Sequence, residues 1–573
     1  MRLNRRVGLA AAVIALTAVL GPVGAAWGVS PTTPAAPAAP RADSDDAPVS
    51  IAVVVPITVS PDPSGSGLID ADHLRSYTTA TGILTRQLDA VIDTGAVIGL
   101  DPMIVASINV LGSSAPPTAR AWLQRLSGAT NQIFPLAYAD ADPAVLTSAP
   151  DGSALLGGLD FQFAIDPANF GPAQTASPTA GATPTPTPSA TPSDTVPLPT
   201  DADILDWPYT LNGIAWPSDD TVSSSALDPL ADAGYHDVLL SSQNVSAADS
   251  ARVDLGGIEG LVADAGVTSL VRDASYSSDD AGYADALGRL DAALQGLQAV
   301  KPGRTVIATL DRQWPIGALR IGDVMQHIES LASAQLVGLS SVIAGPVVGA
   351  KLVDESVDAA DLAQARRVIA TVGPEATFAT VAGDDAAEIT APRHLELLSA
   401  LAVSWIRADD GWSTRLNAYL TSSSKLLSAV TVVHGSNLFV TANSANIPVT
   451  ISNALPVPIH VLVTVRSTSG ILQIDKPQVE VTVEPNSSNK ALVPAQALSN
   501  GTVTATVTLY SAAEPTVRIG DRDFVEVDVQ PAWEGIGTLV VVVLLVLLFG
   551  GGILRNVLKR RASRRAPADE SDD

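Results

Sequence analysis

Residues 213–241, GIAWPSDDTVSSSALDPLADAGYHDVLLS, contain the pattern that decides the fold of this chain. A short apolar run (residues 211–215, LNGIA) leads into a polar loop, an Ala/Leu-rich helical stretch (residues 226–233) and a second apolar run (residues 237–240, DVLL). Strand, helix and strand in this order are typical of a βαβ unit, whose two strands lie parallel in one sheet. The chain is therefore expected to contain a mainly parallel sheet.

The same alternation recurs on both sides of this unit. Runs rich in β-branched residues predict strands, and the Ala/Leu-rich stretches between them predict helices. The further predicted strands are residues 50–55 (SIAVVV), 96–100 (AVIGL), 132–136 (QIFPL), 268–271 (TSLV), 304–310 (RTVIATL) and 335–339 (QLVGL). The further predicted helices are residues 81–92, 119–126, 283–300 and 321–334.

Seven or eight such units predict an α/β fold class, with a (β/α)7–8 barrel-like domain over residues 49–429. An open doubly wound sheet is the alternative, although no G-x-G-x-x-G turn marks a dinucleotide-binding fold. Helical patterns continue through residues 393–410 (RHLELLSALAVSWIRADD) to about residue 429.

From residue 430 the hydrophobic period changes to two. The segments NIPVTISN, IHVLVTVRS, VEVTVEP, TVTATVTLYS and DFVEVDVQ are separated by Asn, Gly, Pro and Ser turns. This alternation predicts an all-β domain over residues 430–531, an immunoglobulin-like β-sandwich. Because it leads directly into the last apolar segment, we expect it to serve as a stalk, with a glycan-contacting module as the alternative.

The two ends of the chain are directed to a membrane. Three arginines, an apolar run over residues 7–20 and small residues up to Gly28 predict a secretory signal peptide over residues 1–28, with an uncleaved anchor helix as the alternative. Residues 535–554 (GIGTLVVVVLLVLLFGGGIL) carry no charge and predict one C-terminal transmembrane helix. The basic residues that follow predict a cytoplasmic tail over residues 555–573. These features predict a single-pass cell-membrane protein whose N-terminal bulk lies outside the cytoplasm.

Two Pro-rich tracts interrupt the predicted domains. Residues 29–48 predict a disordered Pro/Ala linker, and residues 171–200 are a Pro/Thr-rich insertion that is either O-glycosylated or a bare flexible loop. The net charge of −26 argues against a nucleic-acid partner, because the protein has no excess of cationic side chains to neutralise phosphates. The absence of cysteine excludes disulfides, thiolate metal sites and a Cys nucleophile.

Polar residues that follow the predicted strands are the candidate site, because ligand-binding groups of a (β/α) barrel come from the carboxyl ends of its strands. Carboxylates bind sugar hydroxyls or act as acid and base, and aromatic rings stack on sugar rings. The candidate catalytic residues are Asp101, Asp140, Asp142 and Asp311, and the candidate binding residues are Tyr138, Trp216, Asp273 and Trp314. The alternative is structural, because Asp101-Pro102 and Asp142-Pro143 also fit helix N-caps.

Metal, cofactor and serine-nucleophile chemistry have no signature in this sequence. The six histidines show no H-x-x-x-H, H-x-x-H or H-E-x-x-H pairing, so no metal site is predicted, and no cofactor is predicted either. No G-x-S-x-G elbow is present.

The segments VVVPITVSP, VIGLDPMIV, FPLAYADADPAVL and residues 213–241, together with the all-β domain and terminal membrane helix, resemble one protein family. It is the family of large, uncharacterised actinobacterial membrane-anchored proteins usually encoded beside the lipid II flippase of the MurJ/MviN type. The resemblance implies the cell envelope and brings no activity or catalytic residues. The barrel part is more distantly similar to polysaccharide deacetylase and glycosidase barrels, but Ser218 stands where a glycosidase is expected to place a Glu, and the deacetylase histidine pair is missing.

Three functional hypotheses follow. The first is a non-catalytic envelope protein whose barrel binds a cell-wall glycan or an envelope protein partner. The second is a carboxylate-dependent glycan hydrolase that uses two of the four candidate aspartates. The third is a scaffold whose transmembrane helix contacts a membrane partner at Gly550 to Gly552, for which a plain lipid-facing anchor is the alternative.

Overall fold

A mainly parallel sheet organises the first part of the chain. The computed structural model describes residues 47–60, 66–171, 197–247, 249–312, 320–353, 359–406, 411–433, 438–440, 444–530 and 532–562. Several predictions lie outside these residues: the signal peptide, most of the Pro/Ala linker, most of the Pro/Thr-rich insertion, the end of the basic tail and Trp314.

The parallel strands run in the order β4-β5-β7-β8-β1-β2-β3, with β9 also paired to β1. Strand β6 pairs with β7 in the antiparallel sense, and β10 lies beside β6. The strands are β1 (Val49–Ile57), β2 (Val97–Leu100), β3 (Ile133–Pro135), β4 (Ile214–Ala215), β5 (Asp237–Ser241), β6 (Arg252–Asp254), β7 (Glu259–Ala263), β8 (Thr305–Thr309), β9 (Ala334–Leu336) and β10 (Val348–Gly349).

This sheet curves into a half-barrel with an apolar interior. The strand residues Val54, Phe134 and Ile307 form one buried cluster on the inner face, together with Trp216 directly after β4. The two terminal strands of this order, β3 and β4, approach each other. The carbonyl oxygen of Ile133 in β3 accepts hydrogen bonds from the N–H groups of Thr210 and Leu211, just before β4, at 2.9 and 3.1 Å. The carboxyl ends of the strands therefore meet at one edge, as the βαβ pattern predicts.

Helices cover the outer face, and one predicted strand is wrong. Residues 268–271 lie inside a helix, and β7 takes the expected place in the sheet. The reason is that Val267, Thr268 and Val271 face the core from one side of that helix, so a short β-branched run resembles a strand. The helices are α1 (Ala71–Tyr77), α2 (Ile83–Val91), α3 (Pro102–Val110), α4 (Pro117–Ser127), α5 (Pro143–Thr147), α6 (Asp201–Leu205), α7 (Leu227–Asp232), α8 (Ala265–Tyr276), α9 (Asp280–Val300), α10 (Ile321–Ser330) and α11 (Leu339–Ile343).

A helical segment then joins the half-barrel to the next unit. Its central helix packs on two cores: Leu395 and Leu398 lie in the core of the half-barrel, whereas Ile389, with Phe378 of the preceding helix, lies in the core of the following sheets. The helices are α12 (Ala359–Ile369), α13 (Val372–Ala379), α14 (Ala387–Ala400), α15 (Val403–Ile406) and α16 (Gly411–Leu427). Helix α14 is thus shared by both units.

Two mainly antiparallel sheets follow, in the orders β11-β13-β17-β15 and β12-β19-β18-β14-β16. Their inner faces form one apolar core that includes Ile451 and Val493 from the first sheet and Val463 and Val507 from the second. We call this unit the two-sheet domain; its immunoglobulin-like character stays a prediction. The strands are β11 (Val430–Val433), β12 (Leu438–Val440), β13 (Ser444–Asn453), β14 (Ile459–Ser467), β15 (Leu472–Ile474), β16 (Gln478–Val483), β17 (Ser487–Ala497), β18 (Gly501–Ser511) and β19 (Arg518–Val529).

The two-sheet domain has two distinct ends. At its upper end the 3-10 turn Thr380–Ala386 docks on β14 and β18, and the Ser511 hydroxyl donates to the carbonyl oxygen of Thr380 at 2.9 Å. At its lower end β19 stops at Val529 and helix α17 (Ala532–Ala562) begins. Within α17, the segment Gly537–Arg561 is long and apolar enough to cross a membrane.

Shortening Val381 tests the contact between the helical segment and the two-sheet domain. Val381 is fully buried in the core of the two-sheet domain, although it belongs to the docking turn. Val381→Ala is expected to lower the free energy of unfolding by about 2 kcal/mol, because it removes two buried methyl groups and leaves a cavity. Hydrogen exchange at β14 and β18 should accelerate. The matched control Val300→Ala alters an exposed valine at the end of α9 and should leave both readouts unchanged; equal effects of the two variants would contradict the docking.

Candidate functional site

The carboxyl ends of β2, β3, β4 and β8 bring polar side chains together inside the half-barrel. Asp101 follows β2, Asp140 and Asp142 follow β3, Trp216 follows β4 and Arg312 follows β8. All five side chains are buried. We call Asp101, Asp140, Asp142 and Arg312 the polar cluster. Three of the four predicted catalytic residues therefore lie together.

Asp140 and Arg312 form a buried ion pair at the centre of the polar cluster. The Arg312 Nε–H lies 3.0 Å from Oδ1 and 3.1 Å from Oδ2 of Asp140, and the two side chains are only 6% and 5% exposed. Burial raises the pKa of Asp140 to about 6, although Arg312 opposes this rise and Asp142 adds a little to it. The pair therefore holds an ionised carboxylate in an apolar environment at neutral pH.

Arg312 also covers the aromatic ring that was predicted to bind a sugar. Its guanidinium carbon lies 4.0 Å from the centroid of the Trp216 ring, and its terminal nitrogen donates to the Trp216 carbonyl oxygen at 2.6 Å. Phe134 lies beside the same ring, with the centroids 6.2 Å apart. Gly99 leaves room for the ring, because a Cβ atom there would be 3.1 Å from it. Arg312 therefore occupies one face of Trp216.

Asp101 and Asp142 cap helices, as the structural alternative predicts. Oδ1 of Asp101 accepts from the N–H of Met103 at 2.9 Å, and Oδ1 of Asp142 accepts from the N–H of Ala144 at 2.8 Å. The second oxygen of Asp142 accepts from the N–H of Ser218 at 3.1 Å. Oδ2 of Asp101 has no hydrogen-bond partner among the described residues.

The two capping carboxyl groups both have raised pKa values. Burial, reinforced by the nearby Asp140 carboxylate, raises the pKa of Asp101 to about 8. Burial also raises the pKa of Asp142, but its three backbone hydrogen bonds act in the opposite direction. At neutral pH Asp101 therefore carries a proton beside the Asp140–Arg312 ion pair.

The chain reaches the polar cluster through an unusual turn. Ala139 and Asp140 both adopt the left-handed conformation, with φ of 56° and 50°. This conformation costs a residue with a Cβ about 1 kcal/mol or more. The turn is closed by the N–H groups of Asp140 and Ala141, which donate to Ala137 and Tyr138. It directs the Asp140 carboxylate toward Arg312.

The end of helix α14 covers the polar cluster. The N–H of Asp142 donates to the carbonyl oxygen of Leu401, one residue beyond α14, at 2.9 Å, and Ala141 forms a β-bridge with Ala402. Leu398 and Leu401 are buried at this contact. Helix α14 thus ends against the mouth of the half-barrel, which accounts for the burial of the carboxylates.

Among the other predicted site residues, Tyr138, Asp273 and Asp311 have partners outside the polar cluster. The Tyr138 hydroxyl donates to the carbonyl oxygen of Gly67 at 2.7 Å, and Asp273 lies on α8, where it forms a half-exposed ion pair with Arg289 at 3.0 Å. Asp311 lies near Tyr276, whose pKa is raised first by burial and then by the Asp311 carboxylate. Trp314 lies outside the described residues.

Arg312 lies in the polar cluster, although it was not among the predicted site residues. It directly follows the predicted catalytic Asp311, and an arginine at the carboxyl end of a strand is the signal that could have identified it. No group of three or more His, Cys, Asp or Glu side chains in the described part of the chain could hold a metal ion.

The comparisons with solved structures show only weak similarity. The alpha-amylase AmyC from Thermotoga maritima is 11% identical, with 66% of this chain and 93% of that chain covered and a TM-score of 0.41. The native alpha-2-macroglobulin of Escherichia coli is 18% identical. The match covers 18% of this chain and 7% of the macroglobulin, with a TM-score of 0.15. WR4, an MSP family member of C. elegans, is 12% identical over 18% of this chain and 97% of that chain, with a TM-score of 0.14.

These similarities are too weak to carry a functional argument. No curated protein matches the chain. A protein family does match, and it covers residues 14–570, nearly the whole sequence. The chain therefore belongs to DUF6049, a family of unknown function.

Proposed function

We propose that this protein is a non-catalytic, membrane-anchored binding protein of the cell envelope. Its half-barrel stands outside the cytoplasm and binds a cell-wall glycan or an envelope protein, while the two-sheet domain serves as a stalk. Helix α17 spans the membrane once and leaves the basic end of the chain in the cytoplasm.

One observation carries the non-catalytic part of this proposal: Arg312 contacts the carboxylate and the aromatic ring that a glycosidase would need for catalysis and for sugar stacking. Its Nε–H contacts both oxygens of Asp140, and its guanidinium covers the Trp216 ring. A glycosidase needs one carboxylate free to reach the glycosidic oxygen and another free to reach the anomeric carbon or a water. In this chain the candidate carboxylates are buried: Asp101 and Asp142 cap helices, and Asp140 is paired with the arginine.

We base the proposed ligand class on the net charge of the protein and on the partly exposed groups at the mouth of the half-barrel. With a net charge of −26, the protein favours neutral or cationic ligands. Asp219 and Arg272 form an ion pair at 3.0 Å and remain partly exposed, at 28% and 22%. Such a pair offers both acceptors and donors to hydroxyl groups, which suits a glycan. The resemblance to actinobacterial envelope proteins supports the same location.

A carboxylate-dependent hydrolase is the second candidate, and Asp101 favours it. A protonated carboxyl group beside an ionised one is the arrangement that glycosidases use for a general acid and its partner. Asp101 and Asp140 have this arrangement of charge states. For catalysis, α14 would have to move away from the mouth so that a substrate could enter.

Binding and turnover can be separated with the full chain in lipid nanodiscs. We expect saturable binding to arabinogalactan-type glycans or peptidoglycan fragments, without release of new reducing ends. Asp219→Asn should weaken binding because it removes one member of the partly exposed pair, whereas Asp285→Asn alters an exposed aspartate on α9 and should not.

The hydrolase alternative makes the opposite prediction. Slow formation of new reducing ends that both Asp140→Asn and Asp101→Asn abolish, with the fold intact by circular dichroism, would establish an enzyme. Product formation that neither substitution alters would point to a contaminating activity and leave the binding proposal standing.

A further inference from the structure

We propose that the lower end of the two-sheet domain is a membrane-contact surface, with Phe439 and Leu498 inserted among the lipid headgroups. This inference rests on the proposed membrane anchoring by α17 and goes beyond it, because it assigns a lipid-binding role to residues outside the helix. The partner is the headgroup layer of the bilayer that α17 crosses.

The short connection to α17 places the lower end at the membrane surface. Only two residues separate Val529, the last residue of β19, from Ala532, so the gap between them is at most about 10 Å. The segment that could cross a membrane begins at Gly537, about 8 Å further along the helix axis. The headgroup layer on each side of a bilayer is roughly 5–8 Å thick. The lower end therefore lies at or just above the headgroups.

Two large apolar side chains are exposed at this end. Phe439 is 70% exposed and pairs with Asp528 of β19, and the neighbouring Val440 carbonyl oxygen accepts from the N–H of Gln530 at 2.7 Å. Leu498 is 51% exposed and lies in the turn that leads to Gly501, the residue paired with Val529. Both side chains therefore stand beside the start of the membrane helix, where apolar and aromatic groups gain by leaving water.

Charge is distributed unevenly between the two ends of the domain. Two turns at the lower end, residues 468–471 (TSGI) and 498–500 (LSN), contain no charged residue. The upper turns contain Glu484 and Glu514. Asp528 pairs with Phe439, and its carboxylate accepts a hydrogen bond from the Thr502 hydroxyl at 2.6 Å. Uncharged turns beside two apolar anchors fit a lipid headgroup layer, since headgroups can solvate the turn backbones.

The chain offers two matched controls for these anchors. Phe524 lies on β19, five residues above Val529, and is 62% exposed; Leu492 lies on β17, six residues before Leu498, and is 53% exposed. At about 3.3 Å per residue, each control lies roughly 15–20 Å further from the membrane than the lower end. Exposure is therefore similar within each pair, and height above the membrane differs.

Single nitroxide labels can measure the depth of each position, and the absence of cysteine means that no background labelling occurs. We would label Phe439→Cys, Leu498→Cys, Phe524→Cys, Leu492→Cys and the membrane reference Val543→Cys in the full chain. In phosphatidylcholine nanodiscs, collision rates with oxygen, which concentrates in lipid, and with a water-soluble nickel chelate report depth. We expect oxygen-to-nickel ratios at positions 439 and 498 to lie between those of position 543 and the two controls.

Two outcomes would overturn the inference, and they differ in what they say about the anchor. Ratios at 439 and 498 equal to those at 524 and 492, with a lipid-like ratio at 543, would show that α17 spans the bilayer while the lower end stays in water. A water-like ratio at 543 would reject the membrane anchor itself and the surface with it. All four domain positions are exposed, so the substitutions should leave the fold intact, which circular dichroism would verify.

Discussion

Asp101→Asn is expected to flatten the pH dependence of stability between pH 5 and pH 8. The pKa of Asp101 is about 8 in the folded chain and near 3.9 in an unfolded one. Between these values the folded state keeps a proton that the unfolded state has released, so the wild type loses stability as the pH rises. The loss is about 1.4 kcal/mol per pH unit, or about 4 kcal/mol over this range. Asparagine cannot ionise, yet it can still cap α3.

Urea unfolding of both proteins at pH 5, 6, 7 and 8 measures this difference. Asp140, whose pKa is raised to about 6, contributes a slope of the same sign below pH 6 in both proteins, so the comparison isolates Asp101. The matched control is Asp166→Asn, because Asp166 caps a 3-10 turn in the same Asp-Pro context but is exposed. If Asp101→Asn and Asp166→Asn show the same slope as the wild type, Asp101 does not hold a proton in the folded chain.

Arg312→Met is expected to destabilise the half-barrel by about 3–5 kcal/mol, the usual result of removing one partner from a buried ion pair. Asp140 would then have to remain charged without a partner or take up a proton. The double variant Arg312→Met/Asp140→Asn should recover part of the loss, because it removes the uncompensated charge. Arg289→Met is the matched control: this arginine is half-exposed and pairs with Asp273 and Asp285, so its loss should be within about 1 kcal/mol.

Tryptophan fluorescence during unfolding gives the measurement, since Trp216 lies directly beneath Arg312. The Asp140–Arg312 pair would have no special role if Arg312→Met cost no more than Arg289→Met. A double variant as unstable as Arg312→Met alone would show that the loss comes from the contact with Trp216 and not from the unpaired charge.

Hydrophobic pattern predicted those elements whose burial follows a simple period. Strand β14 was predicted at residues 459–467, the bounds that it has, because its inner residues alternate with solvent-facing ones. Strand β17 was missed, since its first four residues are polar and Pro494 interrupts it. Strand β7 was missed because the glycines before it obscure a short apolar run.

The candidate site was predicted only as far as topology determines it. Asp101, Asp140 and Asp142 come together because parallel strands end at one edge of a sheet. The pairing of Asp140 with Arg312 spans 172 positions of sequence and follows no period. The left-handed turn at Ala139 and Asp140 contains no glycine to mark it, and the cover supplied by α14 depends on packing of a distant segment. Sequence alone therefore locates the carboxylates but not their function.

The shared helix α14 has a mechanical consequence. The 11-residue strands β17 and β18 give the two-sheet domain a length of about 36 Å at roughly 3.3 Å per residue. Helix α14 belongs to the core of the half-barrel and to the core of the two-sheet domain. The half-barrel therefore cannot swing on the two-sheet domain as it would on a flexible tether. In the membrane-anchored protein that we propose, a ligand held by the half-barrel would therefore be kept at a fixed height over the membrane, and partners whose sites lie at another height would be out of reach.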